Sequence, residues 1–145
     1  MLNMKEISKE LEEKLFSEAE KMMQRSYIPY SGFAVGAALL AKNGTIYTGC
    51  NIENAAFTPS NCAERTAFFK AVSEGVKEFD AIAILGGKDR KVSDLCTPCG
   101  VCRQVMAEFC KPDDFLILMR DGKGNVQKQL LSELLPSSFG PGNLL

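Results

Sequence analysis

The spacing of apolar residues near the N-terminus predicts an amphipathic helix over residues 4 to about 26. Apolar side chains recur every three or four positions, with lysine and glutamate between them, at Ile7, Leu11, Leu15, Ala19 and Met22. Asn3 and Glu6 have the spacing of a capping box, so we expect the helix to begin there. Pro29 disfavours helical backbone in the residue before it and therefore ends the segment.

The rest of the chain alternates short apolar runs with helical patterns. Two apolar runs, at 33–41 and 45–52, flank Lys42-Asn43-Gly44, and Asn-Gly in that position is typical of a β-hairpin. Further predicted strands lie at 80–87, at 114–120 and near Val126, and predicted helices at 62–75, 99–109 and 130–136. Strands that alternate with helices indicate an α/β fold with helices on both faces of a sheet. Because no repeat, linker or low-complexity tract is visible, we expect residues 1–145 to form a single domain.

Composition narrows the class of function. The chain has 145 residues, of which 46% are hydrophobic and 24% charged, and its net charge is −1. Nucleic-acid-binding proteins normally carry a basic face, so we expect no nucleic-acid partner. The longest apolar run, 33–41, is far shorter than the roughly 20 residues that span a bilayer, and residues 1–15 lack the apolar region of a signal peptide. We therefore expect a cytoplasmic protein without a membrane segment.

Six cysteines and no histidine direct attention to metal or catalytic sites, because cytoplasmic thiols stay reduced. Cys96, Cys99 and Cys102 form two overlapping C-x-x-C units, and Cys62 lies upstream. An iron–sulfur string would need a further cysteine after three intervening residues, where the chain has Met106. A redox pair of Cys99 and Cys102 leaves Cys62 unexplained. Two interpretations remain, which are a structural zinc site that uses all these cysteines and an open catalytic site with three thiolates and a water.

The local pattern favours the open site, with Cys62, Cys99 and Cys102 as ligands. Pro98 is typical of a helix start, which places Cys99 and Cys102 on one helix face at i and i+3. Cys62 also stands where a helix begins, and the positive end of a helix dipole lowers the pKa of a thiol. The remaining cysteines, Cys50, Cys96 and Cys110, are then expected to be structural thiols.

Glu64 and Arg65 complete the predicted site. Zinc with three thiolates carries a charge of −1, which Arg65 can offset by donating hydrogen bonds to the sulfur atoms. If Cys62 lies at the end of its helix, Glu64 can reach a water on the metal, where a carboxylate acts first as general base and then as general acid. The alternative interpretation is that Glu64 and Arg65 form an ordinary surface ion pair.

Several segments, taken in order along the chain, resemble the homotetrameric cytidine deaminases of pyrimidine salvage. They are YIPYSGFAVGAALL (27–40), NIENAAF (51–57), CAERTAFF (62–69), TPCGVCRQ (97–104) and FGP (139–141). The resemblance implies a three-layer α/β/α sandwich around a five-stranded mixed sheet, with one zinc ion on Cys62, Cys99 and Cys102. It also implies hydrolytic deamination of cytidine and 2′-deoxycytidine, in which Glu64 activates the zinc-bound water.

The resemblance assigns substrate contacts as well. Asn51 and Glu53 match positions that hold the ribose hydroxyls, and Phe33 matches a residue that lines the nucleoside pocket. The backbone amide of Ala63 matches a contact to the base carbonyl. Phe139 resembles a tail aromatic that closes over the base from a neighbouring subunit, which implies a homotetramer with shared active sites.

Departures from the family pattern and rival functions complete the expectations. Phe57 stands where relatives often have tyrosine, and Gly142 follows the tail proline where an acidic residue is common, both at an expected subunit boundary. Deaminases of an aminonucleoside antibiotic such as blasticidin S share the zinc motifs, but Asn51, Glu53 and the FGP tail favour plain nucleosides. A non-catalytic zinc-stabilised module is a second alternative. A polynucleotide deaminase is disfavoured by the net charge and the lack of a strand-binding extension.

Overall fold

A mixed sheet runs through the centre of the computed structural model, which describes residues 6–145. Its strands are β1 (Phe33–Ala41), β2 (Ile46–Cys50), β3 (Phe79–Lys88), β4 (Leu116–Arg120) and β5 (Val126–Leu130), in the spatial order β2-β1-β3-β4-β5. β1 pairs antiparallel with β2 and β3, β3 pairs parallel with β4, and β4 pairs antiparallel with β5. The expected five-stranded mixed sheet is confirmed.

Helices cover both faces of this sheet and give the expected three layers. Helix α1 (Lys9–Met23) packs on one face, and α2 (Ala63–Ser73), α3 (Gly100–Phe109) and the short α4 (Leu131–Leu134) pack on the other. A 3₁₀ turn, Pro141–Asn143, follows in the C-terminal tail. Among residues 6–145, no helix is long and apolar enough to cross a bilayer.

The strands alternate between the two faces, as a pleated strand must. In β3, Ala81, Ala83 and Leu85 are buried under α1, whereas Ile82 and Ile84 are buried under α2 and α3. The same alternation runs through β1 and β4. The central strands are therefore apolar throughout, because both of their faces are covered.

Helix α1 begins later than the sequence pattern indicates. It starts at Lys9, and the Ser8 hydroxyl oxygen accepts a hydrogen bond from the Leu11 amide at 3.1 Å. The predicted start at residue 4 is wrong, because Ser8 satisfies an amide that the first helical turn leaves free. Asn3, the predicted cap, lies outside the described residues. At the other end, Met23 is fully buried and Met22 only partly.

Two glycines allow the helices to approach the sheet closely on its two faces. A side chain at Gly36 would lie 1.9 Å from the carbonyl oxygen of Ala19 in α1. A side chain at Gly49 would lie 2.3 Å from the carbonyl oxygen of Ala63 and 2.6 Å from the Ala67 amide in α2. Gly49 therefore sets how near the first turn of α2 can come to β2.

The other predicted elements are present with small shifts at their ends. The hairpin turn places Gly44 at φ +91°, a conformation that favours glycine. Helices α2 and α3 begin one residue after Cys62 and Cys99, which precede them in extended conformation. The last helix is shorter than its pattern suggests, since it ends at Leu134.

Candidate active site

The N-termini of α2 and α3 bring three thiols together. Cys62 and Cys99 occupy the N-cap positions of the two helices, and neither side chain makes a capping hydrogen bond. Cys102 lies in the first turn of α3 and is buried. All three sulfur atoms thus lie at the positive ends of helix dipoles, where a thiolate is stabilised.

The geometry of the three thiols fits one zinc ion. The Sγ atoms of Cys62, Cys99 and Cys102 all lie within 4.8 Å of one another, and those of Cys62 and Cys99 are 3.8 Å apart. In a tetrahedral site with Zn–S bonds of about 2.3 Å, neighbouring sulfur atoms are about 3.8 Å apart. Within residues 6–145, no other group of histidine, cysteine and acidic side chains meets the same requirement.

Cys96 is not part of this cluster, as the open-site interpretation requires. Its half-buried side chain packs beside Gly86 and lines the neighbouring cavity. Burial raises the pKa of the Cys96 thiol to about 12, and the nearby Glu64 adds to this effect. The thiol is therefore neutral at physiological pH, and the structural zinc site with Cys96 as a further ligand has no support in the geometry.

Hydrogen bonds within the cluster favour a thiolate at Cys62. The Cys102 thiol contributes most to the lowering of the Cys62 pKa, and Arg65 and Cys99 lower it further against the effect of burial. The same hydrogen bond raises the pKa of Cys102. The hydrogen bond between the two thiols thus favours the thiolate form at Cys62, and metal ligation needs both as thiolates.

Arg65 points toward the sulfur atoms. Its Nη2 atom donates to the Sγ atom of Cys62 at 3.3 Å, and its buried Nε atom has no hydrogen-bond partner among the described residues. Burial opposes the charge on Arg65, but its hydrogen bonds to Cys62 and Cys102 outweigh this and raise its pKa. A guanidinium that stays charged beside three thiolates offsets part of their negative charge.

Glu64 is buried in the first turn of α2, with only 4% of its surface exposed. Burial raises the pKa of its carboxyl group to about 7, and the negative charge on Cys62 contributes in the same direction. The surface ion pair with Arg65 is ruled out as an interpretation, because Glu64 is buried and Arg65 bonds to Cys62. Glu64 is instead a carboxyl group that can take up and release a proton near neutral pH.

A cavity of about 510 Å³ opens beside the cluster. The predicted site residues that line it are Asn51, Glu53, Cys62, Ala63, Glu64, Arg65 and Cys99. The cavity wall also includes Thr58, Ser60 and Asn61, which sequence analysis did not single out, and Phe57, which it noted only at an expected subunit boundary. These residues directly precede Cys62, and only the path of this segment beside the thiols shows that their side chains reach the cavity.

Phe33 and Phe139 are not among the residues that line the cavity within one chain. Phe33 begins β1, and its carbonyl oxygen accepts a hydrogen bond from the Asn51 side chain at 2.8 Å. Phe139 is 59% exposed, and its carbonyl oxygen accepts from Gln104 Nε2 at 2.9 Å. The proposed role of Phe139 in a neighbouring subunit therefore stays a prediction.

Asn51 and Glu53 are held in place by the backbone of the preceding segment. Asn51 Nδ2 donates to the Phe33 carbonyl, and its Oδ1 accepts from the Val35 amide at 2.9 Å. Glu53 accepts from the backbone amides of Tyr30 and Ser31 and from the Ser31 hydroxyl. Ser31 lies in the segment 27–40 that carries the family resemblance, but sequence analysis gave it no role.

Comparison with known proteins identifies the family. The sequence profile of the cytidine and deoxycytidylate deaminase zinc-binding region matches residues 9–119. The chain belongs to this family. Because the family binds zinc and the three thiols suit one zinc ion, zinc is the metal of this site.

Individual relatives agree with the family assignment. The chain is 50% identical over 132 residues to a cytidine deaminase of Sporosarcina psychrophila, a match that covers 91% of this chain and 93% of that one. It is similar in structure to a cytidine deaminase of Burkholderia pseudomallei, with a TM-score of 0.80, 40% identity, and coverage of 88% of this chain and 98% of the other. A blasticidin-S deaminase of Bacillus cereus is 34% identical over 110 residues, covering 72% and 76%.

Proposed function

We propose that this chain catalyses the zinc-dependent hydrolytic deamination of cytidine and 2′-deoxycytidine, giving the corresponding uridines and ammonia. One observation carries the proposal: a buried carboxyl group, Glu64, lies beside three clustered thiols at the wall of an open cavity. The cavity volume of about 510 Å³ is in the range of about 300–1,000 Å³ that is common for small-molecule sites.

Cys62, Cys99 and Cys102 are the residues that would hold the zinc ion. When bound, zinc supplies the acidity that lets a water react as a nucleophile near neutral pH. Arg65, through its bond to Cys62, reduces the electron density that the thiolates give to the metal. The three-thiol set leaves a tetrahedral position for a further ligand, as catalytic zinc sites do.

Glu64 is the proposed proton carrier of the reaction. Its carboxylate takes the proton of the attacking water and delivers it to N3 of the pyrimidine, which prepares C4 for attack. The water oxygen bonds to C4, and the same carboxyl group then moves the proton of the new C4 hydroxyl to the amino group. The C4–N bond breaks, ammonia leaves and the C4 carbonyl forms. The net change is the loss of ammonia and the gain of water, so Glu64 returns to its starting state.

The substrate contacts are proposed from the family pattern and the position of the residues at the cavity. The backbone amide of Ala63, at the first position of α2, is aligned with the unsatisfied amides of the helix end and can donate to the base carbonyl. Asn51 and Glu53 also line the cavity and are proposed to bind the sugar. Phe33 contributes through its backbone, which orients Asn51.

We also propose that the chain forms a homotetramer whose active sites are shared between subunits. Large apolar side chains are exposed around the cavity and on the tail, namely Tyr27, Tyr30, Phe57, Phe139, Leu144 and Leu145. Phe57, 73% exposed, contacts Tyr30 edge-to-face with ring centroids 6.4 Å apart. Surfaces of this kind are typical of contacts with another chain.

Mixed tetramers test this quaternary proposal. A chain truncated before Phe139 keeps its own Glu64, and a Glu64→Gln chain keeps its own Phe139. If the tail closes a neighbour's site, mixing the two inactive proteins restores part of the activity. Mixed tetramers that are confirmed by native mass spectrometry and stay inactive would contradict the shared site.

Two further proposals concern the protein as a whole. We place its reaction in the cytoplasm, where six reduced cysteines are compatible with a zinc site. We also propose one domain over 1–145, since the described helices pack on a single sheet.

The decisive experiment measures ammonia released from a panel of substrates by the purified, zinc-loaded protein. The panel is cytidine, 2′-deoxycytidine, CMP, single-stranded DNA and blasticidin S. We expect turnover of the two nucleosides. If blasticidin S is the only compound deaminated, the proposed substrate class is wrong and the protein is an antibiotic deaminase. If no compound is deaminated although zinc is bound, the zinc is structural and the chain is a non-catalytic module.

A further inference from the structure

Two of the three zinc ligands lie just outside the helices that present them. Cys62 and Cys99 occupy N-cap positions in extended conformation. Because an N-cap residue lies outside the regular helical backbone, its position depends on the peptide that precedes it. The residue before Cys62 is Asn61, and the residue before Cys99 is Pro98. What holds these two residues therefore decides where two of the sulfur atoms lie.

The two preceding residues are held in different ways. Asn61 pairs with Ile52 through the backbone: its carbonyl oxygen accepts from the Ile52 amide at 3.0 Å, and its amide donates to the Ile52 carbonyl at 2.9 Å. Pro98 has no amide hydrogen and lies in no strand. Its carbonyl oxygen accepts from Nε of Arg103 at 2.7 Å. A side chain thus does before α3 what backbone pairing does before α2.

Arg103 also joins this segment to the last α-helix. Its Nη1 atom donates to the carbonyl oxygen of Leu134 at 2.6 Å. Leu134 is the last residue of α4, where carbonyl groups have no partner within the helix. A guanidinium is planar and donates in fixed directions, so bonds to two carbonyl groups hold both at defined positions. Pro98 is therefore tied to α4 through one side chain.

Arg103 acts at a distance from the cavity. It is not among the residues that line the cavity, and its own amide donates to the Cys99 carbonyl at 3.0 Å, one helical turn away. Its side chain has no role in the proposed proton transfer or in substrate binding. Any effect of Arg103 on the site must therefore pass through the position of Cys99.

We infer that Arg103 is a positioning residue for the metal: by fixing Pro98 against α4, it keeps the Cys99 thiol beside that of Cys62. The two sulfur atoms lie 3.8 Å apart, the separation that one zinc ion needs. The inference goes beyond the proposed function and rests only on zinc ligation by Cys99.

The test measures how fast the zinc-loaded protein gives up its metal to a chelator. Arg103→Ala should release zinc about 10–100-fold faster than wild type, since residues that orient metal ligands typically contribute that factor to metal affinity. Arg103→Lys keeps the charge but lacks the planar pair of donors, so its rate should lie between the two. Methylguanidinium should slow the release from Arg103→Ala, whereas ammonium should not. Wild-type release in Arg103→Ala would overturn the inference.

Cobalt in place of zinc gives a readout that a general loss of stability would not change. Thiolate ligands of Co²⁺ absorb in the near ultraviolet through charge transfer, so the spectrum reports how the sulfur atoms are placed. In Arg103→Ala this absorption should shift or weaken, because Cys99 is no longer held. Faster zinc release with an unchanged cobalt spectrum would locate the effect away from the thiols and would equally overturn the inference.

Two variants serve as controls. Arg120 is also a partly buried arginine, but it lies on the α1 face, where it pairs with Glu13 at 3.0 Å. Arg120→Ala should leave zinc release unchanged. Gln104→Ala removes the neighbouring bond from α3 to the Phe139 carbonyl and should leave it unchanged as well. Equal acceleration in Arg120→Ala and Arg103→Ala would mean general loosening and would contradict the role of Arg103.

The result does not depend on the proposed reaction, because neither readout needs a substrate. If the wild type does not deaminate cytidine but the Arg103 variants release zinc as expected, the proposed function is wrong and the inference stands. If deamination is found and release is unchanged, only the inference is wrong. Should Arg103→Ala not fold, Arg103→Gln takes its place with the same expected acceleration, because one amide cannot hold both carbonyl groups.

Discussion

The two faces of the sheet bury very different side chains. Under α1, the buried residues are mostly apolar, and Leu15, Phe16, Ala19 and Met23 are fully enclosed. The one buried acid of α1, Glu12, pairs with Lys128 at 3.3 Å. Under α2 and α3, apolar residues such as Phe68 share the interior with Glu64 and Cys102. Burial of an ionisable group costs free energy, so one face contributes mainly stability while the other trades stability for chemistry.

The helix starts on the two faces differ in the same way. One of the first amides of α1, that of Leu11, is satisfied by the Ser8 hydroxyl. Cys62 and Cys99 make no such bond at α2 and α3. The amides at these two starts stay available, and their partial positive charge faces the thiols and the cavity.

The largest expected effect comes from breaking the thiol cluster. Cys102→Ala should lose zinc and all measurable deamination, because a buried ligand of the metal is removed. Zinc per chain by mass spectrometry and ammonia release check this. Cys110→Ala, which removes a buried thiol at the opposite end of α3, is the control and should keep both. Full zinc content in Cys102→Ala would exclude Cys102 as a ligand.

A change at Glu64 should separate chemistry from metal binding. Glu64→Gln keeps the size of the side chain but cannot carry a proton, so kcat should fall by about 10²–10⁴-fold. Zinc content and melting temperature should stay near wild type. Glu108→Gln, an exposed glutamate of α3, is the control. A variant at position 64 that kept a large share of wild-type kcat would rule out the proton-carrier role.

Arg65 should have a smaller effect on activity. Arg65→Gln removes the charge that lies 3.3 Å from the Cys62 sulfur, and residues that support metal ligands typically contribute about 10–100-fold. We expect kcat/KM to fall in that range, with zinc retained but released faster to a chelator. Arg65→Lys keeps the charge, so its kcat/KM and its rate of zinc release should lie between those of wild type and Arg65→Gln. Unchanged activity and release would show that the bond to Cys62 is incidental.

The smallest effect on activity is expected on the α1 face. Leu15→Ala should lower the free energy of unfolding by about 2–5 kcal/mol, the usual cost of truncating a buried leucine. Deamination per folded, zinc-loaded chain should be unchanged. Urea denaturation and kinetics measure the two quantities, with exposed Lys14→Ala as control. A large fall in kcat with zinc retained would mean that the faces are coupled.

The parts of the fold that could be predicted from the sequence are those that depend on residues close together along the chain. Alternating apolar runs, Asn43-Gly44 and the cysteine spacing were sufficient for the order of the elements and for the choice of thiols. The predicted start of α1 was wrong because two capping signals compete, the pair Asn3 and Glu6 and the hydroxyl of Ser8. Ser8 makes the observed bond. Local patterns rank such signals poorly, since each contributes only about 1 kcal/mol.

The sequence by itself determined the α/β class, the hairpin and the residues with metal-binding chemistry, because these follow from periodicity and from the chemistry of side chains close in sequence. Only the tertiary structure decided that Glu64 is buried, that Arg65 bonds to Cys62 and not to Glu64, and that Ser31 bonds to Glu53. The distances that settle these choices depend on how α2, α3 and the turn before β1 pack on the sheet. Since that packing joins residues far apart along the chain, no local pattern records it.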